Sequence, residues 1–528
     1  MKTLFFGGKI LTMDMPLYTE AVLIKDGEII KTGKKEQLLA ENPDKLIDLM
    51  GATMMPAFID SHSHFFQVAN SFLQVSLDNA ASFQEILERF QSYISKNKIK
   101  PGEWIIARDY DNNLMPDSKN LTLNELDRLA LENPIVINHK SGHMGLFNSA
   151  ALKRLGVSTD TEWSGEGKIE KDSNGLTGYM EEDAFFFYLK KLPLPDDSTM
   201  LNAFAMAEKK YASYGITSVQ EGMFVDQMIP VYKKLLHSNI LNIDITAYCQ
   251  PSSLPQIKDA FSEHIKQFKD HFKIGGLKIF LDGSPQGRTA WMRLPYKDSG
   301  DYCGYGTMTD SLVMSAFELA AKENMQILAH CNGDAAAEQF LRCLEKQQGV
   351  YPNLMQLRPV IIHGQLIGID QLPKVKQLNV MISFFVGHVY HWGDVHIKNF
   401  SKERAQNISP AASALKLGIP FTFHQDSPVI EPDMLETVWC ATNRLTKSAE
   451  VLGRQQQISV YNALKAVTVN AAYQYGELEK KGTISVGKAA DFTVLSENPL
   501  QTPKERIRNI KVLQTYKNGK CIYNCLSN

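Results

Sequence analysis

The sequence predicts an α/β chain: a (β/α)8 TIM barrel, accompanied by a small β-sandwich built from both chain ends and interrupted by an inserted α+β subdomain. Three observations carry this reading. The middle of the chain alternates short apolar runs with amphipathic segments, the pattern of parallel strands joined by crossover helices. The two ends are instead rich in tight hairpin signals, and neither is large enough to enclose a core of its own. Residues 68–205 break the alternation and are too long for a βα loop.

Residues 1–55 read as the first part of the sandwich. Leu4-Phe5-Phe6 precedes Gly7-Gly8, which reads as a turn. Asp26-Gly27 joins two strand runs, a strong two-residue hairpin signal. Residues 476–528 form the second part, with Asn518-Gly519 as the matching hairpin. Two such pieces at opposite ends are expected to pack together if the middle brings its own ends close.

Residues 56–475 read as the barrel. The candidate strands are 54–61, 217–220, 243–248, 276–281, 326–330, 360–363, 380–385 and 421–425. Pro56 fits the first position of a strand, where no ladder N–H is needed. Helical patterns at 311–322, 335–347, 370–377, 409–417 and 460–470 lie between or after them, with Ser409-Pro410 and Ser459 as start signals. The insertion at 68–205 holds its own elements: an amphipathic stretch at 82–96, Thr122 as a helix cap, a strand at 134–139 and a turn at 172–175. Loops after barrel strands rim the active-site mouth, so the insertion is expected to wall the substrate pocket.

Composition narrows the function classes. Apolar residues make up 44% and charged residues 22%, the balance of a globular chain. A net charge of −2 argues against a nucleic-acid or anionic-membrane partner held by bulk electrostatics. Lys9 interrupts the apolar start before a signal-peptide core could form, and no uncharged run is long enough to span a bilayer. Seven scattered cysteines without a CxxC pair suit reduced thiols, hence a cytoplasmic protein. The expected partner is a small-molecule substrate, and a homodimer is compatible with the sequence.

The chemistry begins at Ala57-Phe58-Ile59-Asp60-Ser61-His62-Ser63-His64. On an extended backbone, residues two apart face the same side, so His62 and His64 can reach one metal ion. Two such histidines alone are weak evidence; their company strengthens it. Lys278 sits inside an apolar strand, where it is costly to bury unless paired or modified. His330 and His363 each end a strand run, and Asp426 follows another. Each alone could be a structural or capping residue. In a barrel, however, the strand C-termini converge, so these residues can share one site.

The ordered set His62, His64, Lys278, His330, His363 and Asp426 on eight βα units resembles the amidohydrolase superfamily of metal-dependent hydrolases. The tail Gly482-Thr483-Ile484-Ser485-Val486-Gly487-Lys488-Ala489-Ala490-Asp491-Phe492 looks like the signature where such chains re-enter their β-sandwich. Ser141-Gly142-His143, the stretch from Tyr214 to Gln220, Asp282-Gly283-Ser284 with Arg288, and His330-Cys331-Asn332-Gly333-Asp334 are similar to a long-insert branch containing N-substituted formamide deformylase-like enzymes. The chain departs from the pattern at Ala57, Asn332 and His424; the last is expected to alter the pocket rim or to hydrogen-bond Asp426.

The resemblance implies roles. His62, His64 and Asp426 would hold one divalent metal, expected to be zinc, and His330 and His363 a second. Lys278 would bridge them as a carbamate; a single-ion site is the alternative. Asp426 would be the catalytic base, and His143 and Arg288 would contact substrate. The implied reaction is hydrolysis of a non-peptide C–N bond of amide type in a small molecule. Ester or lactone hydrolysis, deamination and a non-catalytic regulatory role are the alternatives. Deamination is disfavoured by Gly333, which stands where single-metal deaminases of the superfamily carry a glutamate, and by the presence of Lys278.

Overall fold

Asp26-Gly27 and Asn518-Gly519 each close a two-residue hairpin. The first joins Tyr18–Lys25 to Glu28–Gly33, the second Val512–Lys517 to Lys520–Asn524. All four turn residues have positive φ, 50° and 88° in the first and 47° and 73° in the second, the backbone that matches strand twist in a tight hairpin. These details come from a computed structural model that describes residues 1–130, 132–165, 167–193 and 195–526. The strand Phe492–Leu495 pairs antiparallel with Thr53–Pro56 on one side and with Val512–Lys517 on the other. Strands from both chain ends therefore share one eight-stranded sheet. Phe5 packs edge-on against Phe492 and Tyr516, at centroid distances of 5.4 and 5.1 Å, which joins the two ends through their side chains as well.

Two local expectations change here. Gly7-Gly8 is not a turn: Lys2–Leu11 runs through it as one strand, with a shift in register against its antiparallel neighbour between Phe6 and Ile10. A Cβ on Gly7 would lie on the Asp48 carboxylate, so the glycine permits a bulge with close approach. The run at 54–61 is two strands. Thr53–Pro56 belongs to the terminal sheet, with Pro56 at its last position, and Phe58–Ile59 starts the next sheet. Proline can donate no ladder hydrogen bond and marks the change of sheet.

The second sheet has eight parallel strands in chain order: Phe58–Ile59, Ile216–Phe224, Asp244–Cys249, Phe272–Phe280, Gln326–Cys331, Val360–His363, Met381–Phe384 and Phe421–Phe423. Ile229–His237, Leu254–Ala260, Asp310–Glu323, Asp334–Val350, Leu372–Gln377 and Ala411–Lys416 are among the intervening helices. A single direction of winding curls such a sheet. Ser61, two residues past the first strand, donates from Oγ to Phe423 O at the end of the eighth, at 3.0 Å, and His64 N donates to Ser427 O at 2.9 Å. The fold is a TIM-barrel-like α/β fold. Ser459 caps its helix by accepting from Asn462 N, but Ser409 does not cap; its hydroxyl donates to Gln365 Oε1 instead. The pattern at 460–470 divides at Val467-Thr468 into Val460–Ala466 and Val469–Gln474.

The chain divides into two compact units, Met1–Gln67 with Ala205–Asn528, and Val68–Phe204. The second unit has its own six-stranded sheet, ordered Lys168–Asp172, Gly175–Glu181, Met144–Phe147, Ile135–His139, Ile105–Tyr110 and Gln74–Ser76. Its helix Phe83–Asn97 is capped by Ser82 and buries Ile86 and Phe90 against Ile105, Ile135 and Ile137. Thr122 forms a reciprocal capping box with Glu125.

Candidate metal centre

Five of the eight parallel strands deliver a chemically active side chain at or just beyond their C-terminal ends. His62 and His64 follow the first strand, Lys278 lies near the end of the fourth, His330 is the next-to-last residue of the fifth, His363 ends the sixth, and Asp426 follows the eighth. Asp426 Oδ1 stands 3.3 Å from both His62 Nε2 and His64 Nε2. Lys278 Nζ lies 3.4 Å from His62 Nε2. His363 Nε2 is 3.9 Å from Asp426 Oδ2 and 3.1 Å from His330 Nδ1. All six residues are thus linked, each within reach of the next.

Both His363 and Asp426 hold positive φ, 74° and 55°. Neither is glycine, so each carries local strain of about 1–3 kcal/mol that the surrounding structure must sustain.

The electrostatics favour neutral imidazoles around one carboxylate. Burial, and then the neighbouring Lys278, pushes His62 well below its ordinary range and His330 down to about 4. Burial and His330 do the same to His363. Lys278 is 1% exposed, and burial brings its amine down to about 7 against the opposing pull of Asp426.

The donor set fits a cation. Gln220 Nε2 donates to Ser61 O at 2.9 Å, which turns Gln220 Oε1 toward His62 Nδ1. His62 therefore donates from Nδ1 and presents a bare Nε2 to a carboxylate oxygen. Two lone pairs facing at 3.3 Å repel unless a cation lies between them. Asp426 Oδ1 is buried without a hydrogen bond of acceptable geometry, as is His64 Nδ1. The candidate ligand atoms of His62, His64 and Asp426 all lie within 4.8 Å of one another.

Around this centre, buried polar groups set positions that the sequence alone leaves open. Asp282 accepts from the N–H groups of Trp291, Asn332 and Gly333, at 3.0, 2.9 and 2.7 Å. Burial pushes its carboxyl up to about 7, against those donors. His330 Nε2 lies 3.1 Å from Gly283 O and 3.0 Å from Asn332 Nδ2. Gln220 is the orienting residue that sequence reasoning left without a role; its signal is an amide at a buried strand position. His424 does not hydrogen-bond Asp426, as its place in the sequence suggested. Its Nε2 faces His363 Nδ1 at 3.1 Å and its Nδ1 faces Ser383 Oγ at 2.7 Å, because the strand directs its ring toward the sixth and seventh strands.

The two expected substrate contacts, Arg288 and His143, each have a local partner. Arg288 has φ of 57°, and its Nε donates to Asn399 Oδ1 at 3.0 Å. His143 belongs to the unit 68–204, where its exposed ring has Nδ1 3.1 Å from Glu182 Oε2.

The amidohydrolase family profile matches residues 45–523. The chain belongs to the amidohydrolase family. Membership makes it a metal-dependent hydrolase that uses a divalent ion. The Bacillus subtilis protein YtcJ is 27% identical over 537 residues, covering 99% of each chain. The N-substituted formamide deformylase of Arthrobacter pascens is 25% identical over 531 residues, covering 96% of this amidohydrolase and 95% of that enzyme. Among solved structures, an uncharacterized metal-dependent hydrolase from Pyrococcus horikoshii superposes with a TM-score of 0.79 at 23% identity, covering 96% of this chain and 99% of that one, a likeness of fold. Among the described residues, no helix of the amidohydrolase is long and apolar enough to cross a membrane.

Proposed function

We propose that the protein hydrolyses a non-peptide, amide-type C–N bond of a small molecule, in a site at the mouth of a closed (β/α)8 barrel. One observation carries the reading: His62 Nε2 and His64 Nε2 converge on Asp426 Oδ1, with Lys278 Nζ buried beside them. His62, His64 and Asp426 would hold one divalent cation and His330 and His363 a second. Zinc suits this mixture of imidazole and carboxylate donors. Such ions, when bound, polarise a carbonyl and make a water acidic enough to attack it near neutral pH.

The chain's own groups do the rest. The neutral Lys278 amine attacks carbon dioxide: its nitrogen bonds the carbon, one C=O π bond becomes a carboxylate, and one proton leaves. The neutral amine thereby becomes an anion, which would attract positive ions where the protonated amine would repel them. Asp426 takes a proton from the attacking water and returns it to the leaving nitrogen. Gln220 holds the His62 ring with Nε2 inward. Seven free cysteines suit a reducing, cytoplasmic setting.

The name of the Arthrobacter pascens relative makes N-formyl and N-acyl amines the first substrates to try. The test is a screen of such compounds with protein of measured metal content. Turnover should vanish on chelation and return with added zinc. Turnover that survives complete removal of metal would overturn the reading.

A further inference from the structure

Behind His363 lies a line of buried hydrogen bonds whose direction is set at its far end. Phe423 O can only accept, so the Ser61 hydroxyl donates to it, at 3.0 Å. With its proton committed, Ser61 Oγ accepts from the Ser383 hydroxyl, at 3.0 Å. Ser383 Oγ must then accept from His424 Nδ1–H, at 2.7 Å. A neutral His424 has no second proton, so its Nε2 accepts from His363 Nδ1–H, at 3.1 Å. His363 Nε2 is left bare, facing His330 Nδ1 at 3.1 Å and Asp426 Oδ2 at 3.9 Å.

We propose that the relay Ser61–Ser383–His424 is a positioning device that fixes His363 in its Nδ1–H tautomer, with Nε2 free to bind metal. Every side chain between the two ends is buried: Ser61, Ser383 and His424 are 0% exposed. Water therefore does not supply alternative partners. Reversing all the protons would also satisfy the side chains in sequence, but it would leave Phe423 O without this donor. The carbonyl breaks the symmetry, and it does so across the seam between the first and last strands of the parallel sheet. The relay also accounts for an imidazole at position 424: the ring accepts at one nitrogen and donates at the other along one line. The expected gain in metal affinity rests on the metal-ligand role proposed above for His363. The tautomer does not.

The experiment is nitrogen-15 NMR of histidine-labelled, metal-free full-length protein, with the His363 signals identified by their loss in His363→Asn. The native protein should show His363 protonated at Nδ1. In Ser61→Ala the Ser383 hydroxyl loses its acceptor and turns to His424 Nδ1. His424 then carries its proton on Nε2, and His363 should shift toward the Nε2–H form. Zinc affinity, measured by chelator competition, should fall about tenfold, the lower end of the range for outer-shell partners. A native His363 protonated at Nε2 overturns the proposal without any variant. A native Nδ1–H tautomer that Ser61→Ala leaves unchanged overturns it as well. A tautomer shift with unchanged zinc affinity supports the relay and instead removes His363 from the metal-ligand set.

Discussion

In the proposed two-ion reading, Lys278 is the residue on which the chemistry turns. Lys278→Ala should lose one of the two ions, and formate or acetate should restore part of the activity by replacing the bridge. Lys278→Arg should fail as badly as alanine, because it keeps the charge but cannot supply the carbamate. Activity retained by arginine alone would reduce Lys278 to a cation beside one metal. Asp426→Asn should lower kcat by about 10²–10⁴-fold, the usual worth of a positioned acid–base group, measured at saturating zinc. A kcat within a few-fold of the native value would remove Asp426 as the base. At this scale the ligand candidates were legible because each interrupts, closes or follows a short apolar run, where a histidine, lysine or aspartate is out of place. Gln220, Ser383 and Ser61 were not, because their roles are defined by partners on other strands: Gln220 by His62, and Ser383 by both Ser61 and His424.

The elements at the two chain ends stabilise each other. Phe492–Leu495 pairs with Thr53–Pro56, so a truncation lacking residues 482–528 should speed hydrogen exchange across residues 1–30; unchanged exchange there would contradict that dependence. A buried ionic cluster ties this sheet to the parallel one. Lys517 Nζ reaches Asp244 Oδ2 at 2.6 Å and Asp491 Oδ2 at 2.7 Å, Lys481 also binds Asp244, and His271 Nδ1 lies 2.8 Å from Asp244 Oδ1. Burial would raise the Asp244 carboxyl, but Lys481 and Lys517 overcome it and hold it well below the usual range. A depressed folded-state value means that the cluster stabilises above the unfolded-state pKa and is lost as pH falls through the lower folded value. Asp244→Asn should therefore cost about 3–5 kcal/mol at pH 7, since it leaves buried lysines short of a partner. The gap from the native protein should narrow only below about pH 4, as read from denaturant unfolding. A gap independent of pH would rule out the charge as its cause. Both hairpins were legible because Asp-Gly and Asn-Gly act locally. The strand through Gly7-Gly8 was not, since Asp48 and Ala52, which crowd that pair, arrive from later in the chain.

For the whole molecule, the proposed ligands come from five strands, so metal binding would cross-brace the curled sheet. Zinc at a thousandfold excess over its dissociation constant should add about 4 kcal/mol of stability, and chelation should lower the melting temperature accordingly. A melting temperature indifferent to chelator would contradict the brace. The alternation of strands and helices made this architecture legible. The division of residues 54–61 between two sheets was less so, because Met54-Met55 and Phe58-Ile59 are both apolar and only Pro56-Ala57 separates them. The most direct test of the two-ion centre is elemental analysis of the native protein and Lys278→Ala, both prepared with excess zinc and bicarbonate. The account predicts about two ions per chain in the native protein and about one in the variant. The same single ion in both, with an unmodified Lys278 amine, would contradict it.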